Sequence, residues 1–580
     1  MRPPPTASAL QSLLAALAAV ALMAAASPAR AQTEGLLQIE SDLERFLLRQ
    51  HALGRLPTLD AGSLPLSAAR AQALLDSLAD APGLSAVDRR RAAGYRGDGP
   101  VGRPLGLLTG PVARATPLYP NGASFVRVEG DGYAVEVAPL LDLSAGPARI
   151  DRPDAGPGAG GEEWARAQTL RRGARAGARV GRFFAEARVT ENQDLVPLGA
   201  FPPTNTAPRV GYAVVTDRGA EDPTYDYLRS TGVVGYRDRF VDVRAGRDRN
   251  RWGFARGSLI LSDYATEYDH VGVQVQAGPF TVQSLYARFL NPQEPGRRDV
   301  EVSEQRYGVY HRAALRPGLG LEFEVFETVV FGDRDDDNRN GFEPAYLVPF
   351  ALYRTVERDL GSPDNVLLGA GAAWRFAPGW RVYGQGLLDE LTAGRFFEDS
   401  WTNKWGFVLG AQIADPGVPG LFRLRDTDVR VEYARLRPYL YSHRDSLTAA
   451  VHFGDGLGHP AGPNASDLSV RLAHRPTADV EVSLDAWTTV RGRNTDSLNF
   501  GADPARPYRD RAPEPNPTLQ GVRQRLVYAD LRVGARLLPE AFVGLSVRAQ
   551  ATDDEERGGS GVLSPQVFLR WGLSESGPRY

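Results

Sequence analysis

Over most of the chain, apolar and polar residues alternate one by one. Tyr133, Val135 and Val137 alternate with Ala134 and Glu136, and Val271, Val273, Val275 and Ala277 with Gly272, Gln274 and Gln276. Leu321, Phe323 and Val325 alternate with Glu322 and Glu324, and the pattern returns at 480–486 and 527–537. Its last instance is Val567, Leu569, Trp571 and Leu573. A period of two predicts strands with one apolar and one polar face. In a soluble sandwich the apolar faces meet in a core. In an outer-membrane barrel they meet lipid, and the polar faces line a lumen.

Three features select the barrel. The strand pattern recurs over some 460 residues from about residue 118 without a helical interlude. Charged residues such as Glu324 and Arg532 occupy the polar face in mid-strand, which suits a hydrated lumen. The last strand is rich in aromatics and the final residue is Tyr580, the kind of terminus that barrel-assembly machinery reads, although a hydrophilic stretch from Ser574 to Arg579 intervenes. At roughly 45 to 55 residues per hairpin, this length holds about 16 to 20 strands. A barrel of that size encloses a water-filled or plugged lumen.

Ahead of the strands, residues 38–95 change to a helical pattern. Ser41 and Glu44 form a capping box before Leu43, Phe46 and Leu47, and Gly54 and Pro57 end that helix. A second helix is predicted from Ser67, carrying Ala71, Leu74, Leu75 and Leu78, and a third from Ser85 through arginines 89–91. The first residues read as an export signal: Arg2, an apolar run from Ala7 to Ala26, and a small-x-small site at Ala29-Arg30-Ala31. The expected divisions are a signal peptide over 1–31, a periplasmic helical region over 32–110 and the barrel over 111–580.

Composition removes several alternatives. With no cysteine, disulfides, thiolate metal sites and cysteine nucleophiles are excluded. A net charge of −3 argues against a nucleic-acid partner. Lys404 is the one lysine, so arginine carries nearly all the positive charge. No apolar run beyond residue 31 is long enough for a spanning helix, which needs about 20 residues.

The stretch 241-VDVRAGRDRNRWGFARGSLILSDYA-265 breaks the strand pattern. It opens as a strand at Val241, Val243 and Ala245, passes into an arginine-rich turn around Trp252-Gly253, and continues as the apolar run Ser258–Leu261. A catalytic loop, a ligand-binding loop and a structural corner all fit this pattern.

Several stretches resemble the Wzi capsule-assembly family of outer-membrane proteins. They are 246-GRDRNRWGFARGSLILSD-263, 343-EPAYLVPFALYR-354, 364-DNVLLGAGAAWR-375, 383-YGQGLLDEL-391 and 454-GDGLGHPAGPNASDL-468, together with 119-YPNGASFVRVEGDGYAVEVAPLLDLSAG-146. The likeness runs over most of the chain in order and spacing, and is nearest the broader branch that includes gliding-associated homologues. It implies an all-β, antiparallel transmembrane barrel of about eighteen strands with a small N-terminal helical bundle on the periplasmic side. It also implies a role in anchoring or assembling surface polysaccharide, in contact with outer-membrane lipid. None of the enterobacterial lectin's sugar-contacting loops maps onto this sequence residue by residue.

Within a barrel, Arg247, Arg249 and Arg251 are candidates to bind anionic sugars, with Trp252 stacking on a sugar ring. The simpler reading makes Trp252 an interface anchor and pairs the arginines with lumen carboxylates. Glu343, Arg354, Glu357, Asp364, Asp389 and Glu390 are expected to form one polar lumen network, since buried charges need partners. Asp336, Asn338 and Asn340 fit the start of a calcium loop, but its twelfth position is Leu347 rather than Glu. An acidic surface loop explains them as well. Asp455, His459 and Asn464 lie in a glycine-rich turn without a nucleophile motif, so no catalytic residues and no cofactor are expected. The expected function is polysaccharide binding without catalysis. The alternatives are a porin, an outer-membrane enzyme, and a gliding or adhesion protein.

Overall fold

The computed structural model describes residues 35–79, 81–96, 125–151, 162–195, 213–216, 224–291, 304–332, 343–347, 364–390, 393–395, 398–418, 422–538 and 540–574. Eighteen antiparallel strands close into a barrel. The first wall strand, Tyr133–Asp151, pairs with the last, Gly558–Trp571, in a register that sets Leu141 against Trp571 and Asp151 against Gly561. Each remaining wall strand pairs with its neighbours in chain order, and a short strand at Val126–Gly130 forms a hairpin with the start of the first.

The alternation read from the sequence is the alternation of the wall, with apolar residues outward. Val271 is 53% exposed and Val273 39%, whereas the inward Gln274 and His270 meet the lumen contents. Outward aromatics gather into two girdles, as membrane interfaces favour. At the end with short turns lie Phe183 with Tyr236, Trp374 with Phe376, and Phe125 with Trp571. At the opposite end lie Tyr286, Tyr307 and Phe331, and Trp405 stacked on Phe407. Hairpins such as Gly278-Pro279 and Leu319-Gly320 mark the short-turn end, which in such barrels faces the periplasm.

Three helices sit at this end: α1 (Asp42–Ala52), α2 (Ala68–Ser77) and α3 (Ala86–Arg96). Their starts follow the serines singled out above. Ser41 Oγ accepts from Glu44 N at 3.3 Å, Ser67 Oγ from Arg70 N at 3.1 Å and Ser85 Oγ from Asp88 N at 2.9 Å. The Glu44 side chain reaches back one residue further than a capping box does, to Glu40 N at 3.0 Å. Phe46, Leu47, Leu59, Leu64, Leu74, Leu75 and Leu78 form the bundle's own apolar core.

Candidate functional site

The lumen is filled from both ends. From the short-turn end, residues 53–67 leave the bundle and rise inside the wall, where Ser63–Leu64 form a two-stranded ladder with Arg251–Trp252. From the other end, residues 249–267 fold inward. Trp252, Phe254, Leu259, Ile260 and Leu261 pack against inward wall residues Leu285, Phe289, Tyr310, Phe326, Leu387 and Val408. The apolar run Ser258–Leu261 is thus no wall strand: Leu261 bridges back to Trp252, and the run is core. A second inward loop, 437–464, adds Leu440, Tyr441, Ala450, Leu457 and Ala461 to the same cluster. Gly253 shows how tight the fit is. Its φ is +111°, and a Cβ there would lie 1.8 Å from Gln385 Nε2.

Charge fixes the register of this plug. Arg251 is buried and meets Glu40 at 2.6 Å, Glu44 at 3.1 Å and Asp263 at 3.8 Å. Arg49 of α1 meets Asp88 at 3.2 Å, Asp415 at 2.6 Å and Asp428 at 2.7 Å. Arg312 on the wall meets Asp60 at 2.9 Å and Glu324 at 2.8 Å, and His51 contacts Glu322 at 3.0 Å. Arg256 joins Asp485 at 3.0 Å while its backbone N–H donates to Glu432 at 2.8 Å. Buried pairs of this kind add little net stability, but each one removed singly leaves a charge without water, so they specify one docking geometry.

The residues proposed from sequence separate in space. Arg251 and Trp252 lie inside the plug, and Trp252 is 1% exposed. They therefore present no surface to a polymer outside the cell, and Trp252 is a core residue rather than an interface anchor. Arg249 stands near the outer mouth with Glu267 at 3.6 Å, donating to the Asp263 carbonyl at 3.1 Å. Arg247 faces outward on its strand and pairs with Asp269 at 2.7 Å, which also holds Arg288.

The expected single lumen network does not form among its described members. Asp364 accepts from Tyr346 Oη at 2.6 Å, and Glu343 accepts from Ala345 N at 3.1 Å. Both accept from a 3-10 turn, Pro344–Leu347, whose Tyr346 packs on Val309, Val329 and Val366. Those valines share the outward parity of Val325 and Leu368, so this group lies outside the wall, not in the lumen. Asp389 and Glu390 instead hold Lys404, at 3.4 and 3.2 Å. Arg354, Glu357 and the calcium-loop residues Asp336, Asn338 and Asn340 lie outside the described residues. His459 is packed in the second inward loop and accepts from Ala461 N at 3.2 Å; burial pushes its imidazole down to about 4. Asn464, at φ +56°, ties that loop to Gln520 O at 2.8 Å.

At the outer mouth the structure assembles a group that no sequence motif announces. The Trp401 and Tyr508 rings lie 4.8 Å apart. The Arg511 guanidinium covers Trp401 at 4.2 Å, and Lys404 Nζ lies 4.4 Å from the Tyr508 ring. Residues 393–395 and 398–403 and the loops 437–464 and 494–521 hold this stack together. Arg437 donates to Asp399 at 3.0 Å, Ser400 O at 3.2 Å and Asn516 O at 3.1 Å, and Arg395 pairs with Glu514 at 2.6 Å. Aromatic faces flanked by cations suit the apolar face and acidic groups of sugars.

The fold is similar to that of solved outer-membrane barrels. A structure titled as Wzi, an outer-membrane protein involved in group 1 capsule assembly in Escherichia coli and a carbohydrate-binding β-barrel, aligns at TM-score 0.51 and 12% identity, over 94% of this chain and all of that one. OprD from Pseudomonas aeruginosa aligns at TM-score 0.36 and 9% identity, over 76% of this chain and 96% of that one. OpdL from the same organism aligns at TM-score 0.38 and 7% identity, over 75% and 98%. Comparison with protein-family models and with curated sequences gives no match. The chain is an outer-membrane-type β-barrel with the Wzi-like architecture.

Proposed function

We propose that the protein holds surface polysaccharide at the outer membrane without catalysis, using its outer mouth rather than its lumen. The filled lumen is the observation that supports this reading. A wall of eighteen strands whose interior is occupied by residues 53–67 and two inward loops, with a helical bundle at the short-turn end, offers its outer end for binding. The Trp401–Tyr508 stack with the exposed Arg511 is the part of that end best suited to an acidic glycan. Loops tied by buried side chains are already ordered before binding, which lowers its entropic cost. In this reading residues 1–31 direct export, and barrel-assembly machinery inserts the chain.

The test is the fate of the polymer in a deletion strain. Cell-bound and released polysaccharide are quantified beside the parent. The proposal expects unchanged total polymer, a shift from cells to medium, and restoration by the wild-type chain but not by Trp401→Ala/Arg511→Ala. Unchanged cell-bound polymer would refute it.

A further inference from the structure

The geometry points to a second binding site, at the opposite end of the barrel from the aromatic stack. A cavity of about 120 Å³ lies between the start of the chain's described part, α1, α2 and the inner wall at the short-turn end. Among the described residues, five arginines line it (Arg45, Arg175, Arg188, Arg536 and Arg570), against three carboxylates, Glu40, Asp42 and Glu540. The described lining thus carries two more cations than anions.

Those carboxylates are each divided among several arginines, some of them outside the lining. Glu40 serves Arg251 at 2.6 Å and Arg471 at 2.7 Å. Asp42 is shared by Arg91 at 2.7 Å, Arg536 at 2.8 Å and Arg45 at 3.6 Å, and accepts from Tyr95 as well. Glu540, in an exposed turn at the cavity's edge, faces Arg175, Arg536 and Arg188. Behind the lining, Glu136 divides itself between Arg175 and Arg127, each at 3.3 Å, and Glu186 meets Arg188. Glu481 is divided likewise between Arg45 and Arg475.

Three neighbouring strands set Arg536, Phe542 and Arg570 side by side. The two guanidiniums lie 5.2 and 5.4 Å from the Phe542 ring. A ring held between two guanidiniums keeps their planes fixed, and planar forks of this type match carboxylate and phosphate oxygens. Much of the remaining lining is apolar, with Leu36, Leu43, Ala71 and Leu75. A dry cavity of about 150 Å³ accepts a benzene molecule, so this one encloses the anionic head of a single residue, with its ring reaching toward the surface, and not a run of polymer.

The ligand class that follows is one sugar-sized residue bearing a carboxylate or a phosphate, bound at the periplasmic end. This site does not rest on the outer-mouth reading and is tested apart from it. The full chain in detergent is titrated calorimetrically with glucuronate, with glucose 1-phosphate and with glucose. Saturable binding of at least one anion and none of glucose is expected. Glucuronate alone would identify an acidic sugar residue, glucose 1-phosphate alone a sugar phosphate. Arg536→Gln/Arg570→Gln should weaken binding about tenfold or more, the scale of a lost charged hydrogen bond. Because Arg536 also pairs with Asp42, a second variant leaves every charge in place. Gly94 lines the cavity, and a Cβ there meets nothing within 4 Å. Gly94→Leu should therefore fill the space and abolish binding while the bundle stays docked. Absence of saturation by either anion, or wild-type binding by Gly94→Leu, would overturn the proposal. So would loss of binding in Trp401→Ala, which alters only the outer mouth.

Discussion

Trp252 and Trp401 both lie among arginines, one in the middle of the lumen and the other at the outer mouth. Around Trp252 the ring and the neighbouring arginine are both enclosed. Its ring packs edge-on to Tyr310 at 6.4 Å, and its neighbour Arg251 is spent on Glu40 and Glu44. Around Trp401 the arginine sits on the ring itself, and Arg511 is exposed. The same two residue types build a seal where carboxylates surround the arginine, and a ligand-ready surface where an aromatic face does. Burial and counter-charge, not residue type, separate the two.

The largest effects that would break this comparison belong to the inner site. Trp252→Ala should cost about 3 to 5 kcal/mol of stability, the range for a large buried aromatic, read as a lowered denaturant midpoint for plug release. Arg251→Ala should cost about 3 kcal/mol, because Glu44 is left buried without its cation while Glu40 keeps Arg471. Trp401→Ala and Arg511→Ala should each change stability by no more than about 1 kcal/mol, as partly exposed sites do. Yet each should weaken binding of an acidic surface glycan severalfold, more at low salt than at high for Arg511→Ala. Equal stability losses at the two tryptophans would erase the distinction.

A smaller effect is expected from pH. Burial pushes the Glu44 carboxyl up to about 7, opposed by Arg251 and aided by Glu40. Burial alone would also raise Asp42 and Asp60, but Arg91, Arg536 and Arg45 around the first, and Arg312 and Arg316 around the second, hold both well below the usual range. The docked bundle thus binds an extra proton at Glu44 as pH falls from 7 toward the ordinary value of 4.5, and gains stability there. Asp42 and Asp60 contribute stability above their ordinary value of 3.8, lost as pH falls further toward their folded values. The denaturant midpoint for bundle release should rise slightly from pH 7 to about 5 and drop below about 4. A midpoint that falls steadily from pH 7 would assign the control to other groups.

The wall was legible because lipid demands a strict period of two, visible at Val271, Val273 and Val275. The helix starts were legible from Ser41, Ser67 and Ser85, since caps are local. The plug was only half legible. The arginines of 247–253 and the run at 258–261 stood out, but whether the loop projects outward or folds inward depends on Glu40, Glu44 and Phe289, far away in sequence. Asp364 and Asp389 appeared as one charge run although the wall separates them, because an outward turn carries Tyr346 over the valines. The outer stack escaped entirely: Trp401, Tyr508 and Arg511 come from two distant loops and follow no periodicity.

Planar-bilayer conductance tests most directly whether the docked plug seals the lumen. The wild-type chain should show no steady ion current, and Arg251→Ala should show openings as the plug loosens. Steady wild-type conductance that Arg251→Ala leaves unchanged would contradict a sealed lumen and make the barrel a channel.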